Sequence, residues 1–149
     1  MIKTCRASTF IPAPIEQVFD VFTDYKTYRL LSGVKSTRVL QVGQSDQSYS
    51  LGTIRELDLG FGVFHEQVMD VNYPHYWDYK FIKWPLSLSH IGGRMSFKSV
   101  KGGTQMTWES TIEMKGKVSF TLPLIAWISG YGLKLMSLQM KKIIVKKAR

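Results

Sequence analysis

The sequence predicts an α+β fold in which one antiparallel β-sheet packs against a long C-terminal helix. Two patterns indicate this fold. Residues 34–115 alternate apolar and polar side chains with a period of two, and residues 120–147 repeat apolar side chains at helical spacing. The length of 149 residues, with 44% hydrophobic and 21% charged residues, is typical of one globular domain. We therefore expect residues 1–149 to form a single domain.

The N-terminal part predicts one strand followed by two short helices. Residues 4–11 are prone to β-structure, and Pro12-Ala13-Pro14 ends the strand. A helical stripe then follows, made of Ile15, Val18, Phe19 and Phe22. Its apolar spacing predicts a first helix with Pro14 near its first turn, and Tyr25, Tyr28 and Leu31 predict a second, short helix before Gly33.

Six further strands are predicted between residues 34 and 115. Turn residues interrupt the alternation at residues 43–50, 60–62, 72–74, 84–85 and 101–103. Consecutive strands that are joined by short turns predict an antiparallel meander with one face against the core and the other in solvent.

The alternation also predicts which side chains face the core. In the later strands, the side chains that are predicted to face the core are Trp77, Tyr79, Phe81, Met95, Phe97, Met106, Trp108, Ser110, Ile112 and Met114. The stretch 61–71 is less regular, and its predicted inward residues are Val63, His65, Gln67, Met69 and Val71. In the strand before it, Leu57 is predicted to face inward, and Arg55 fits either face.

The final element is predicted to be a long amphipathic helix over residues 120–147. Its apolar stripe consists of Leu124, Ile128, Tyr131, Leu135 and Leu138, widened by Ile125, Met136, Met140 and Ile143. Residues 118–133 carry no charge, so a membrane span is the alternative, but the segment is short and holds several polar residues and two glycines. A helix held by a curved sheet explains the same apolarity better, and Gly130 and Gly132 either kink it or leave room beneath it.

The net charge of +9 lies almost entirely at the C-terminal end of the sequence. From Met114 to Arg149 there are eight basic residues and no acidic one. Such a segment attracts an anionic partner, and we expect peripheral contact with an anionic membrane; a solvated helix end is the alternative. Nucleic acid is not expected as a partner, because residues 134–149 contain no aromatic side chain for base stacking.

Several kinds of site are not indicated. Cys5 is the single cysteine, and the three histidines are scattered, so no zinc spacing exists and neither a metal nor a cofactor is predicted. There is no Gly-x-Ser-x-Gly elbow, and no glycine-rich stretch precedes a helix as a phosphate loop does. No apolar run of signal-peptide length follows the first residues, which predicts a cytoplasmic protein.

The order of these elements, together with residues 9–28, resembles the START-like (SRPBCC) superfamily. Its polyketide cyclase/dehydratase and lipid-transport branch has an apolar residue and Pro/Ala-Pro, then Val-Phe or Val-Trp after three further residues, and then Asp-x-x-x-Tyr. The matching residues of this chain are Ile11, Pro12-Ala13-Pro14, Val18-Phe19, Asp24 and Tyr28. The stretch 68–74 is similar to that group's Val-x-x-Val-Asp-x-Pro hairpin, and Gly116 before the long helix also fits. The pattern departs at residues 29–31, where the group usually has Trp-Pro or Phe-Pro.

The resemblance covers nearly the whole chain and implies a helix-grip fold. In this fold a seven-stranded antiparallel sheet curls round the C-terminal helix, and a cavity lies between them. Family members bind hydrophobic molecules such as lipids, polyketides, quinones and steroids, and a minority catalyse cyclisation or dehydration in the cavity. The fold alone does not choose among these roles.

The expected function is binding, and carrying, a hydrophobic small molecule or lipid in that cavity. The predicted ligand-binding residues are Arg55, Leu57, Val63, His65, Gln67, Met69, Trp77, Tyr79, Phe81, Met95, Phe97, Trp108, Ser110, Ile112 and Met136. If inward, Arg55 is suited to an anionic head group. A cyclase/dehydratase-type enzyme that uses His65, Tyr79 and Arg55 is the first alternative, and a protein-partner module is the second.

Overall fold

A computed structural model describes residues 1–147 of the chain, so Arg149 of the basic C-terminal segment lies outside the described residues. The fold contains a sheet of seven strands and three α-helices, which are α1 (Ile15–Thr23), α2 (Tyr25–Tyr28) and α3 (Leu122–Lys147). The strands are β1 (Ile2–Ile11), β2 (Ser36–Gln41), β3 (Ile54–Asp58), β4 (Val63–Asn72), β5 (Tyr76–Lys83), β6 (Ser89–Val100) and β7 (Gly103–Glu113).

The strands form one antiparallel sheet in the order β1-β7-β6-β5-β4-β3-β2. Consecutive strands from β2 to β7 are neighbours, as the short turns predict, and β1 pairs with β7 along its whole length. Helix α3 lies against β1 and inside the curled sheet. The helix-grip arrangement is therefore confirmed.

The core has two parts, one towards each end of α3. The larger part joins α1 to the C-terminal half of α3, through Phe19 and Phe22 on one side and Met140 and Ile144 on the other. The smaller part joins the end of β7 to the first turns of α3 and consists of Ile112, Met114, Leu122 and Ala126. The middle of α3 spans the space between the two parts.

The inward prediction holds for β5, β6 and β7. Trp77, Tyr79, Met95, Phe97 and Trp108 are all buried, and Phe81 packs against the same core. In β7 the alternation of buried and half-buried residues is unbroken from Gly103 to Glu113. Both faces of these strands therefore follow from the period-two pattern alone.

The five large residues of the predicted α3 stripe lie on the wrong side of the helix, whereas those that widen it, Ile125, Met136, Met140 and Ile143, face the core or the cavity. Leu124, Ile128, Tyr131, Leu135 and Leu138 are exposed. The sheet instead covers Leu122, Ala126, Ser137, Met140 and Ile144. The helix is apolar on two opposite sides, so the spacing of large side chains does not distinguish the buried side from the exposed one. None of the described helices is both long and apolar enough to cross a bilayer.

Candidate ligand-binding cavity

A cavity of about 250 Å³ lies between the sheet and the middle of α3. Its wall is almost entirely apolar, and most of it comes from β3, β4, β5, β7 and α3. Seven of the predicted ligand-binding residues line it, namely Leu57, Tyr79, Phe81, Trp108, Ser110, Ile112 and Met136. An apolar hollow with a few polar groups on one wall is the usual form of a small-molecule site.

Small residues of α3 leave the space for this cavity. Ser129 and Gly132 line it, and a Cβ atom added to Gly132 would meet open space. Gly130 has a different role, because a Cβ atom there would contact the backbone oxygen of Arg6 and the side chain of Cys5. The sequence predicted that the glycines either kink the helix or leave room beneath it, and the second role fits Gly132.

The mouth of the cavity lies beside two loops. Phe61, in the β3–β4 turn, and Leu86, in the β5–β6 connection, are the lining residues with the largest exposed fractions, 72% and 43%. The two loops touch, since a Cβ atom on Gly62 would overlap the ring of Pro85. Access to the cavity is therefore bordered by apolar side chains.

Two buried hydroxyl groups lie on the β5–β7 side of the wall. The Tyr79 hydroxyl accepts a hydrogen bond from Trp108 Nε1 at 2.8 Å. Burial raises the pKa of Tyr79, so the phenol keeps its proton and can donate it. Its ring passes over Gly93 of the intervening strand, where a Cβ atom would overlap the ring.

Ser110 is held by the buried side chain of His90. His90 Nδ1 accepts from the backbone N–H of Phe81 at 3.0 Å, so its proton is on Nε2 and is donated to Ser110 Oγ at 2.8 Å. Burial, with a smaller contribution from Lys80, lowers the pKa of His90 to about 4. In this tautomer His90 cannot take a proton from Ser110, so the pair is not an activated nucleophile.

Arg55 is fully buried, as its inward alternative predicts, but it does not line the cavity. Its Nε donates to Glu66 Oε1 at 2.7 Å, its Nη2 donates to the same oxygen, and its Nη1 donates to the carbonyl of Thr23. The guanidinium also lies over the ring of Trp77, 4.7 Å from the centroid. These contacts occupy the guanidinium, so the structure does not support the predicted role of Arg55 in binding an anionic head group.

The face predicted for the first half of β4 is also wrong. Phe64, Glu66 and Val68 are buried, and Phe64 and Glu66 line the cavity. The predicted inward residues lie on the other face, namely Val63, His65, Gln67 and Met69. The pattern misleads because Glu66, a charged residue, lies on the inner face and is neutralised there by Arg55. A bulge between Val68 and Asp70 then returns Val71 to the core.

The three predicted catalytic candidates are not brought together. His65 lies on the outer face, where its Nε2 is 2.8 Å from Glu56 Oε2. Glu56 also accepts from Arg38, and this hydrogen bond, followed by that of His65, lowers the pKa of the Glu56 carboxyl. Of the three candidates, only Tyr79 lines the cavity.

Three other predicted residues support the cavity without lining it. Trp77, Met95 and Phe97 are buried in the larger core, nearer to α1. Alternation places a side chain on the inner face, but it does not say at which point along the strand the cavity lies. The core prediction therefore holds for these three residues, and direct contact with a ligand is not supported.

Several lining residues are outside the set that the sequence predicts. They are Cys5, Tyr28, Leu59, Phe61, Phe64, Glu66, Trp84, Leu86, Leu88, Ile125, Ser129, Gly132 and Leu133. Phe64 and Glu66 would have followed from the opposite face of β4, and Ser129 and Gly132 from the small residues of the helix. Phe61, Trp84 and Leu86 lie in loops, where no period applies.

Neither metal binding nor thiol chemistry is indicated at this site. Within residues 1–147, no three His, Cys, Asp or Glu side chains are grouped so that they could hold a metal ion. Cys5 donates to the backbone oxygen of Ser110 at 3.2 Å, and burial raises the pKa of its thiol. The cavity wall is thus composed of apolar side chains, hydroxyl groups and one paired carboxylate.

Comparison with known proteins gives one family and many similar folds. Residues 4–134 match the family described as polyketide cyclase/dehydrase and lipid transport. The chain has no significant match among curated protein sequences.

Similar solved structures cover almost the whole chain at low sequence identity. A START superfamily protein from Mycobacterium smegmatis has a TM-score of 0.80 at 14% identity and covers 96% of this chain and 97% of its own. An aromatase/cyclase from a Streptomyces species has a TM-score of 0.76 at 12% identity, covering 100% and 97%. Norcoclaurine synthase from Thalictrum has a TM-score of 0.75 at 13% identity, covering 100% and 98%. At these identities the likeness shows the fold.

Proposed function

The chain belongs to the polyketide cyclase/dehydrase and lipid transport family, and we propose that residues 1–149 act as one domain that binds, and carries, a hydrophobic small molecule or lipid in the cavity under α3. The family and the similar folds fit a ligand-binding or polyketide cyclase-like role. The observation that carries the proposal is the apolar cavity itself, which is kept open by Gly132 and bordered by apolar loops.

The polar groups of the wall favour a particular kind of ligand. Tyr79 retains a proton to donate, and Ser110 lies beside it, so a carbonyl or hydroxyl oxygen would find a donor there. An anionic head group is disfavoured, because the described lining residues include no basic side chain and their one carboxylate, Glu66, is already paired with Arg55. The ligand class that fits is a largely apolar molecule with neutral oxygen groups at one end.

A cyclase- or dehydratase-type reaction in the same cavity is the second candidate. Glu66 favours it, since this carboxylate is on the wall and could hold a ligand hydroxyl. Against a proton-transfer role for the other groups, burial raises the pKa of Tyr79 and lowers that of His90, and both pKa values therefore move away from pH 7, near which such a group works best. Binding without turnover therefore has the better support.

The proposal also keeps two predictions from the sequence, a cytoplasmic location and peripheral contact with an anionic membrane. The support for the second is the absence of acidic residues from Met114 onwards, with eight basic residues in the same segment.

Mass spectrometry of small molecules extracted from the purified protein tests the proposed function. A retained apolar molecule, present at near one equivalent and lost from a variant with a filled cavity, supports binding. Conversion of that molecule by the protein would favour the enzymatic candidate. Glu66→Gln protein that circular dichroism shows to be folded should then lose conversion and still bind the molecule.

A further inference from the structure

Helix α3 presents a second apolar surface, opposite to the side that the sheet covers. We call it the outer face, and it consists of Leu124, Trp127, Ile128, Tyr131, Leu135 and Leu138. Trp127 is 71% exposed, and Phe120, just before the helix, is 74% exposed. The outer face extends over roughly 20 Å at 1.5 Å per residue. A continuous apolar surface of this length marks a site of interaction.

Lysines continue the outer face at its C-terminal end. Lys142 and Lys146 follow Leu138 at spacings of four residues, so they extend the same side of the helix. Lys115 and Lys117 precede the helix at the other end. The apolar surface is therefore flanked by positive charge, and no acidic residue occurs between Met114 and Lys147.

Two of the basic residues that the sequence suggested for membrane contact are directed elsewhere. Lys134 donates from Nζ to the backbone oxygen of Ser8 and to Thr9 Oγ1, which ties it to β1. Lys141 lies over the ring of Phe10, 5.9 Å from the centroid. The lysines that extend the outer face are thus Lys142 and Lys146.

The positive charges distinguish between two candidate partners of the outer face, a second copy of the chain and an anionic lipid surface. In a symmetric antiparallel pair of α3 helices, Lys142 and Lys146 of one copy would lie near Lys117 of the other, with no acidic residue of α3 between them. An anionic lipid surface offers the opposite charge along the whole helix. A tryptophan and a tyrosine among aliphatic side chains are also the composition that suits the interface of a bilayer.

We propose that the outer face of α3 docks on an anionic lipid bilayer, with Leu124, Trp127 and Tyr131 inserted and Lys142 and Lys146 among the lipid head groups. The helix lies in the plane of the interface and does not span the bilayer, in line with its length and apolarity. This names the surface for the membrane contact in the proposed function.

Docking in this orientation brings the mouth of the cavity to the bilayer. Ile125 and Ser129 line the cavity. Each directly follows a residue of the outer face, Leu124 and Ile128 respectively. Phe61 and Leu86, the exposed apolar residues at the mouth, lie on the loops beside this part of the helix. An apolar ligand could then pass between bilayer and cavity without crossing water, a step that rests on the proposed function.

Vesicle binding of a surface variant tests the proposal. The probes are phosphatidylcholine vesicles with and without one quarter phosphatidylglycerol, and the variant is Leu124→Gln with Trp127→Gln. Both side chains are exposed, so the fold is retained. Ile82→Gln with Ile91→Gln, two exposed apolar residues of the sheet, is the matched control. We expect a loss of at least about tenfold in partitioning to anionic vesicles for the α3 variant and none for the control.

Lys142→Gln with Lys146→Gln measures the charge contribution separately. Its partitioning to anionic vesicles should also fall at least about tenfold at low salt, with a smaller difference near physiological salt. The proposal would be overturned if the wild type did not bind anionic vesicles, or if the α3 variant partitioned to them as strongly as the wild type does. So would a dimer in light scattering that dissociates in the α3 variant, because the outer face would then pair with a second copy.

A binding titration without vesicles keeps this proposal separate from the proposed function. The α3 variant should bind the uncharged apolar dye prodan, which carries a carbonyl group, in the cavity as the wild type does. If neither protein binds the dye but the wild type still docks on vesicles, the proposed function fails and the docking surface stands.

Discussion

The ring of Tyr79 on β5 lies across Gly93 on β6, at a position where a Cβ atom would overlap it. Gly93 is paired with Tyr79 on one side and with Ser110 on the other. The absent side chain lets the phenol cross one strand and bring its hydroxyl to Trp108 Nε1. A glycine in the middle of a strand thus sets the position of a polar group on the cavity wall.

Gly93→Ala should therefore destabilise the protein, although alanine is ordinarily at least as good in a strand. The added methyl group must displace the Tyr79 ring, and overpacking of this kind costs about 1–3 kcal/mol. Chemical denaturation measures the free energy of unfolding. Gly92→Ala is the matched control, because a Cβ atom there would have only an ordinary contact with the Tyr79 backbone oxygen. Equal stabilities for the two variants would show that the Tyr79 ring is not confined by Gly93.

Tyr79→Phe should change which ligand binds best. The variant keeps the ring but removes the donor, so an apolar ligand that carries a carbonyl group should lose about 1–3 kcal/mol of binding free energy. The corresponding hydrocarbon should lose little. Comparing two ligands in the same variant removes any effect on the fold, which includes the lost acceptor of Trp108. Equal losses for the two ligands in a calorimetric titration would mean that Tyr79 does not recognise the ligand.

Arg55→Gln should reduce stability without changing ligand preference. Glu66 would remain buried without its cation, and breaking a buried ion pair costs about 3–5 kcal/mol. A double variant, Arg55→Met with Glu66→Leu, should regain much of that loss in the same denaturation experiment.

Ligand titrations of Arg55→Gln then test its position behind the wall. Binding of a fatty acid and of the matching alcohol should change by equal factors, because the guanidinium is occupied by Glu66 and Thr23. A selective loss of fatty-acid binding would restore the head-group role that the sequence suggested.

Stability should fall as the pH is lowered from about 6.5 to about 4, in part because of His90. Its pKa is lowered from 6.5 to about 4 in the folded protein, so in this window the unfolded chain binds a proton that the folded protein does not. The contribution is fully present above pH 6.5, is lost on acidification and amounts to on the order of 2–3 kcal/mol.

The slope of unfolding free energy against pH measures this contribution, and His90→Gln is the comparison. The variant should show a shallower slope between the two pH values, whatever its absolute stability, since carboxylates titrate equally in both proteins. An identical slope would mean that His90 protonates as easily in the folded protein as in the unfolded chain.

The sequence was sufficient for the order of elements and for the inner face of three strands. In β5, β6 and β7 the apolar alternation is strong, and each strand is buried on one face only, so the period determines the face. Tyr79, Trp108 and Ser110 were placed correctly for this reason.

Side chains that contradict the general rules could not be placed from the sequence. Glu66 is buried because Arg55, from the neighbouring strand, neutralises it, and a pairing across strands is not visible in the period of one strand. Helix α3 is apolar on two sides, and large residues such as Trp127 lie outside while Gly132 lies over the cavity. Small residues are needed on the side of α3 that faces the cavity, whereas the buried side of a helix usually carries the large apolar residues.

Filling the cavity from Gly132 tests the central claim most directly. Gly132→Leu places a side chain into open space and replaces a glycine within a helix, so the melting temperature should stay the same or rise. Gly130→Ala is the matched control, because it gives a similar gain in helix propensity while Gly130 does not line the cavity and its added Cβ atom would contact the backbone of Arg6 and the Cβ atom of Cys5. The measurement is the affinity of each protein for the molecule extracted from the wild type, or for an apolar dye if none is retained. We predict that the Kd rises at least about tenfold for Gly132→Leu and is unchanged for Gly130→Ala. A folded Gly132→Leu variant that binds as the wild type does would show that the ligand does not occupy the cavity under α3.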